Sequence, residues 1–169
     1  MLHDKWNYQH CVLCLFGEEG CGPLFLCLYC ASMAKLSRKK EVKKLDAALS
    51  KWVRYSNMDQ NGLTECFTCG CKKPPKELHC GHFMSRARYS TRWLYDEEND
   101  LYNVKPQCPA CNLFKNGNQY AYGRRLDSLY GKGSADEIVR MSNQTKKFST
   151  IELIEMRENF TKLFNELSK

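Results

Sequence analysis

The chain has 169 residues, eleven of them cysteine, and 26 Lys and Arg stand against 19 Asp and Glu for a net charge of +7. That length suits one ordinary domain with appendages, or two small ones. No apolar run reaches membrane-spanning length, because the most hydrophobic stretch, from Gly22 to Met33, is broken by Cys27 and Cys30, and Asp4 with two histidines stands where a signal peptide has its basic start. The expectation is a soluble, cytoplasmic protein without a membrane partner. Eight cysteines fall into four C-x2-C pairs and leave Cys21, Cys71 and Cys80 over. An odd remainder and paired spacing favour zinc over a disulfide framework.

In chain order, Cys11-Val12-Leu13-Cys14 and Cys27-Leu28-Tyr29-Cys30 are separated by twelve residues, with Gly17, Gly20, Gly22 and Pro23 turning the loop between them. This is zinc-ribbon or finger spacing, in which Cys21 or His10 could replace one sulfur, and it marks residues 1–33 as an N-terminal zinc module. Either the module contacts DNA, or it is a staple that orders about thirty residues too few to bury a core. Residues 34–60 read as a basic linker helix, since Val42, Leu45, Leu49, Trp52 and Val53 recur at helical spacing between Ala31 and Ser56. Eight Lys and Arg between Lys35 and Arg54 face only Glu41 and Asp46, a local balance of +6. A polyanion is the natural partner of such a segment, although its apolar stripe also suits packing on the rest of the chain or on a second copy.

Asn57 to Gly62 ends that helix, and a domain boundary is expected there, with a zinc-stabilised core over residues 61–120. Leu78 to Phe83 reads as a short strand, Asp96 to Asp100 as loop, and Leu101 to Lys105 as a second strand. Asn116-Gly117-Asn118 interrupts the following helix, and residues 121–169 form a helical extension. One helix there ends at Gly131, Ser134 with Glu137 predicts a capping box, and Ser149 with Glu152 predicts another. The last helix carries Leu153, Met156, Phe160, Leu163, Phe164 and Leu167 on one face, which suits a core or a dimer seam.

The core segment is bracketed by Cys66-Phe67-Thr68-Cys69 and Cys108-Pro109-Ala110-Cys111. Cys66, Cys69, Cys108 and Cys111 present four thiolates at tetrahedral zinc spacing, so a second structural zinc would join segments 38 residues apart. Cys71 and Cys80 could compete for it but read as small buried residues. Between the pairs lies Cys80-Gly81-His82-Phe83.

These pieces carry a resemblance: Cys66 to Gly70, Gly81-His82-Phe83 with Arg86, Arg92-Trp93, Asn103, Gln107-Cys108, Cys111-Asn112, Lys115, Gly117-Asn118 and Leu129-Tyr130-Gly131. In this order they resemble the HNH metal-dependent nucleases in the variant whose third motif residue is Asn, and more closely the phage NinG (Rap) recombination family. The match runs from about Leu63 to near the C-terminus. The resemblance implies a small α+β fold with a ββα-metal core, and a phage or prophage endonuclease that nicks branched DNA such as Holliday junctions or D-loops. Two symmetric nicks imply a homodimer.

By that resemblance His82 is the general base, Asn103 holds the histidine loop, and Asn112 ligates a catalytic Mg²⁺ or Mn²⁺. One departure stands out: the family positions for an acidic metal ligand hold Gly81 and His79. His79 could ligate instead, shifting preference toward softer ions, or Asp96 could supply the charge; His79 could also join Cys80 on a zinc. Arg86, Arg88 and Arg92 lie where a scissile phosphate approaches, while Arg92 could alternatively anchor Asp96 to Glu98. Lys115, Arg124 and Arg125 extend the DNA-binding surface, and Tyr120 and Tyr122 either stack on unpaired bases or pack. No base-reading helix is evident, so recognition of DNA shape is expected. The rival functions are a non-catalytic zinc-finger DNA-binding protein of recombination, and an HNH nuclease acting on linear duplex.

Overall fold

The apolar stripe at positions 42, 45, 49, 52 and 53 forms the buried face of helix α1, Arg38–Tyr55. The computed structural model describes residues 37–167. The expected N-terminal zinc module with Cys11, Cys14, Cys27 and Cys30, and the expected start of the basic helix, lie outside the described residues. The described residues belong to one compact unit, Ser37–Lys169. Helix α1, within the segment 34–60 read from sequence as a linker helix, lies inside that unit. None of the described helices is long and apolar enough to cross a membrane.

Six short strands follow α1: β1 (Thr64–Glu65), β2 (Lys72–Lys73), β3 (His79–His82), β4 (Tyr95–Asp96), β5 (Leu101–Tyr102) and β6 (Val104–Gln107). They pair as three separate antiparallel ribbons, β1 with β2, β3 with β6 and β4 with β5. The sequence predicted one strand over Leu101 to Lys105. Its pairing instead changes partner at Asn103, because the backbone N–H of Asn103 turns to Leu94 O (3.1 Å) while its carbonyl accepts from Phe83 N (2.8 Å). A π-helical turn, Ala110–Phe114, and a 3-10 turn, Asn116–Asn118, lead into helix α2, Gln119–Tyr130. Helices α3 (Ser134–Ser142) and α4 (Thr150–Glu166) complete the order. The result is a mixed arrangement of helices and small sheets.

Two apolar clusters hold it together. Val42, Leu45, Leu49, Trp52 and Val53 of α1 pack with Leu153 and Phe160 of α4, with Trp93, and with Val104 of β6. The face of α4 that could have been a dimer seam is thus largely spent on the core, with Met156 and Leu163 at its border. The second cluster joins Phe67, Phe83 and Tyr102 to Tyr122 and Leu126 of α2 and to Ala135 and Ile138 of α3. The β3–β6 ribbon and its flanks therefore serve both. Glu41, fully buried in α1, is compensated by Lys44 at 2.6 Å and by Arg157 of α4 at 3.5 Å.

The caps differ from one another. Ser149 and Glu152 form the expected capping box. Ser134 does not cap: Gly133, at φ +97°, takes the N-cap position, the Ser134 hydroxyl donates to Tyr130 O, and Glu137 pairs with Arg140. A positive φ is reached most readily by glycine, so the chain starts the helix one residue earlier than the Ser/Glu spacing suggested.

Because Leu45 is fully buried between α1 and the rest of this core, Leu45→Ala should lower the free energy of unfolding by about 3 kcal/mol. Urea unfolding measures this. A loss well under 1 kcal/mol would mark α1 as a loosely attached arm.

Candidate functional site

Two turns bring the sulfurs together. In the first, Gly70 at φ +75° lets the backbone double back so that Gly70 N–H donates to Cys66 O and Cys66 N–H donates to Cys71 O (2.8 Å). In the second, the chain leaves β6 at Cys108, whose N–H donates to Cys66 Sγ at 3.2 Å. The sulfurs of Cys66, Cys69, Cys71 and Cys108 lie within 4.8 Å of one another. Cys69 and Cys108 stand 3.8 Å apart, the edge of a tetrahedron with metal–sulfur bonds of about 2.3 Å. This cluster could hold a metal such as zinc.

Cys71 enters this group, although it read from sequence as a buried bystander. Cys111 is buried in the same apolar cluster, and burial first, then the neighbouring thiols of Cys69 and Cys108, pushes its pKa up to about 12. Five sulfurs thus surround four tetrahedral places. Burial raises the Cys66 thiol, but donors from Thr68, Cys108 and Cys69 outweigh it and bring the pKa down to about 6. A ready thiolate is what a metal requires. Cys80 stands apart, and burial lifts its thiol to about 12.

Beside this cluster, β3 pairs with β6 in the register His79 to Gln107, Cys80 to Pro106, Gly81 to Lys105 and His82 to Val104. A Cβ on Gly81 would fall 2.0 Å from Gln107 Oε1 and 2.5 Å from its Cδ. No acidic side chain fits at that position. Gln107 is itself buried and donates to Gly117 O at 2.8 Å, so it cannot swing aside cheaply.

His82 Nε2 lies 3.1 Å from Arg92 O. A carbonyl only accepts, so Nε2 carries the proton and Nδ1 keeps its lone pair in the neutral ring. Burial, then the positive charge of Arg86, lowers the His82 pKa to about 4. The loop after His82 is strapped by Asn103, whose Oδ1 accepts from Met84 N (2.6 Å) and whose Nδ2 donates to Met84 O (3.1 Å) and Thr91 O (2.9 Å). His79 Nδ1 and Asn112 Nδ2 are 3.0 Å apart.

His79, His82 and Asn112 line one cavity of about 390 Å³, together with Arg86 and, from α1, Asp46, Ser50 and Arg54. Asp46 was not anticipated as a site residue. Its Oδ1 accepts from Arg92 Nε (3.1 Å) and Trp93 Nε1 (2.8 Å), and its Oδ2 from Arg86 Nη2 (2.6 Å) and Arg92 Nη2 (2.7 Å). Burial raises its carboxyl, but hydrogen bonds from Arg92, Trp93 and Arg86 outweigh that and hold it below the ordinary carboxylate value. Four donors occupy its four lone-pair positions. Asp46, Ser50 and Arg54 recur every four residues, and that polar line beside the apolar stripe was the available signal.

Among the described residues, the cavity thus offers two imidazoles, one amide oxygen and the Cys80 thiol but no unengaged carboxylate. That donor set fits a divalent transition ion better than Mg²⁺. Asp96 spends its carboxylate on Glu98 N and on Asn99, within its own turn. Arg92 is anchored to Asp46 and not to the acidic stretch Asp96 to Glu98. Arg125 is paired with Glu65 at 2.6 Å, whereas Arg88, Lys115 and Arg124 are exposed. Tyr122 is fully buried against Phe67 and Phe83, while Tyr120 lies in solvent.

A family model described as Bacteriophage Lambda NinG protein matches residues 31–169. No curated protein and no solved structure matches the chain.

Two measurements follow from this geometry. Cys108→Ser should leave the protein with one zinc fewer per chain than the parent by metal analysis; equal zinc contents would show that the cluster holds none. In a ring-nitrogen NMR titration, His82 should show a midpoint near pH 4. Between pH 6.5 and 4 the unfolded chain takes up a proton that the folded one refuses, so stability falls as pH falls, by up to about 3 kcal/mol. His82→Gln should remove that component.

Proposed function

We propose, from the premise that this chain belongs to the bacteriophage lambda NinG family, that it is a metal-dependent endonuclease with an HNH-like core that nicks branched DNA. Membership supports a role in phage recombination. The observation that carries the catalytic reading is the shared cavity of His79, His82 and Asn112 beside Arg86. Hydrolysis of a phosphodiester needs a water deprotonated in line with the leaving oxygen, and a cation to neutralise the charge that builds on the phosphate.

His82 supplies the base. Its Nε2 proton is engaged by Arg92 O, so the Nδ1 lone pair is the proton acceptor left for a water. Asn103 keeps the segment from Met84 to Thr91 fixed, which limits the wandering of the base relative to the phosphate. Arg86 is exposed and reaches the same cavity, so its guanidinium can pair with a phosphate oxygen. His79 and Asn112 would hold a divalent ion, which when bound supplies charge neutralisation at the phosphate. The substrate is a branch of a recombination intermediate, and two copies of the chain would make paired nicks across it.

The lack of a free carboxylate among the described residues of the cavity favours a second reading, a DNA-binding recombination protein without catalysis. Labelled four-way junction, fork, duplex and single-stranded DNA, each incubated with the protein and Mg²⁺, Mn²⁺ or Ni²⁺, separates the two. The expected result is nicking of the branched substrates, strongest with Mn²⁺ or Ni²⁺, and its loss in His82→Ala with junction binding retained. Binding without nicking under every ion would leave the second reading; nicking that survives His82→Ala would remove the base assignment.

A further inference from the structure

The π-helical turn that carries Asn112 into the cavity ends in Leu113 and Phe114, which point outward: Phe114 is 83% exposed, Leu113 56%, and Tyr120, at the start of α2, 78%. Their turn is not loose. Lys115 N–H donates to Ala110 O (3.1 Å) and Asn118 N–H to Lys115 O (2.8 Å). Asn116, Gly117 and Asn118 all adopt positive φ, at 48°, 81° and 47°, a sharp reversal held from beneath by Gln107 Nε2 on Gly117 O (2.8 Å) and by Gln119 Nε2 on Phe83 O (2.9 Å). A large aromatic fixed in water on a pinned turn does not fold back onto the core, so it is available to an external partner.

The charge around it selects that partner. Lys115 adjoins Phe114, the Arg124 guanidinium lies over the Tyr120 ring at 5.9 Å from its centroid, and Asp127, whose carboxylate accepts from Ala135 N, is the only acid between Ala110 and Gly131. A second copy docked here about a twofold axis would bring Lys115 and Arg124 of each copy against those of the other, like charge on like charge. Aromatic rings rimmed by cations match instead the combination that single-stranded nucleic acid requires, a π-face for the base and a cation for its phosphate.

We infer that Phe114 and Tyr120 form a stacking platform for unpaired bases, with Lys115 and Arg124 on the adjoining phosphates, so that a DNA branch point is seated next to the His79–His82–Asn112 cavity. This rests on the DNA-directed reading above and names what that site recognises: disrupted base stacking. The bases opened at a branch stack on the rings, while a closed duplex offers none. Selection of branched DNA then comes from the cost of opening the bases, which is lowest where they are already unpaired.

The test is binding in EDTA, where nicking is suppressed, of the full chain to a four-way junction, single-stranded DNA and continuous duplex, with 2-aminopurine at the branch point of the junction. Phe114→Ala and Tyr120→Ala should each weaken junction and single-strand binding by at least about fivefold, leave duplex binding within about twofold, and diminish the 2-aminopurine response; Phe114→Trp should restore it. Both residues are exposed, and an unchanged unfolding midpoint checks the fold. Unchanged affinity, an equal loss on all three DNAs, or a change in oligomeric state instead of DNA binding would each overturn the inference. Wild-type protein that binds junctions through these rings but nicks nothing sinks the nuclease reading alone, whereas Phe114→Ala that binds and nicks like its parent sinks the platform alone. Wild-type protein that binds no DNA overturns both.

Discussion

The close approach of β3 to β6 is the constraint on which the site depends. The two strands pair over only four residues each, yet that ribbon fixes three things together. His79 and His82 stand at its two ends. Asn103, just before β6, reaches back across to the loop that His82 opens. Cys108, just after β6, delivers its sulfur to the turn of Cys66 to Cys71. The approach is possible because position 81 has no side chain, and the space a Cβ would take is filled by Gln107. A shift of register by one residue would turn every one of these groups to the opposite face.

A ribbon this short has little stability of its own, and helices supply what it lacks. Helix α1 covers one face through its apolar stripe and adds Asp46, which gathers Arg86, Arg92 and Trp93. That carboxylate governs the electrostatics of the cavity. It sets Arg92, and with it the carbonyl that receives the His82 proton, and it neutralises part of the positive charge that would otherwise press on the imidazole. Lys105 on β6 is handled differently: its Nζ sits 3.5 Å from the centroid of the Tyr102 ring, with Tyr130 and Tyr95 further out, and burial lowers its pKa to about 8. Ring quadrupoles there do the work that water does for an exposed lysine.

The basic charge of the chain accordingly divides into two populations. Arg54, Arg86, Arg92 and Arg125 are drawn into the structure by carbonyls or carboxylates. Arg88, Lys115 and Arg124 stay in solvent. Of the cations named from sequence as DNA contacts, only some are therefore open to a phosphate without first giving up an acid. Arg86 belongs to both groups, exposed in its own right yet bonded to Asp46, so a phosphate arriving at the cavity would meet it already oriented.

The sequence by itself determined the local features, those set by residue chemistry over a few positions: the apolar period of α1, the break after Tyr55, the two C-x2-C turns, the strand ending at His82, the capping box at Ser149 and the stop at Gly131. It also carried the motif order that identifies the family. Tertiary structure alone decided the groups that meet across long separations: Asp46 with Arg92, Cys71 with Cys108, Gln107 under Gly81, and the change of partner at Asn103. The physical reason is range. Periodicity and capping act within a turn or two of helix, whereas an acid 46 residues away from its arginine leaves no pattern in the intervening chain, and a glycine shows nothing of the side chain that occupies its empty side.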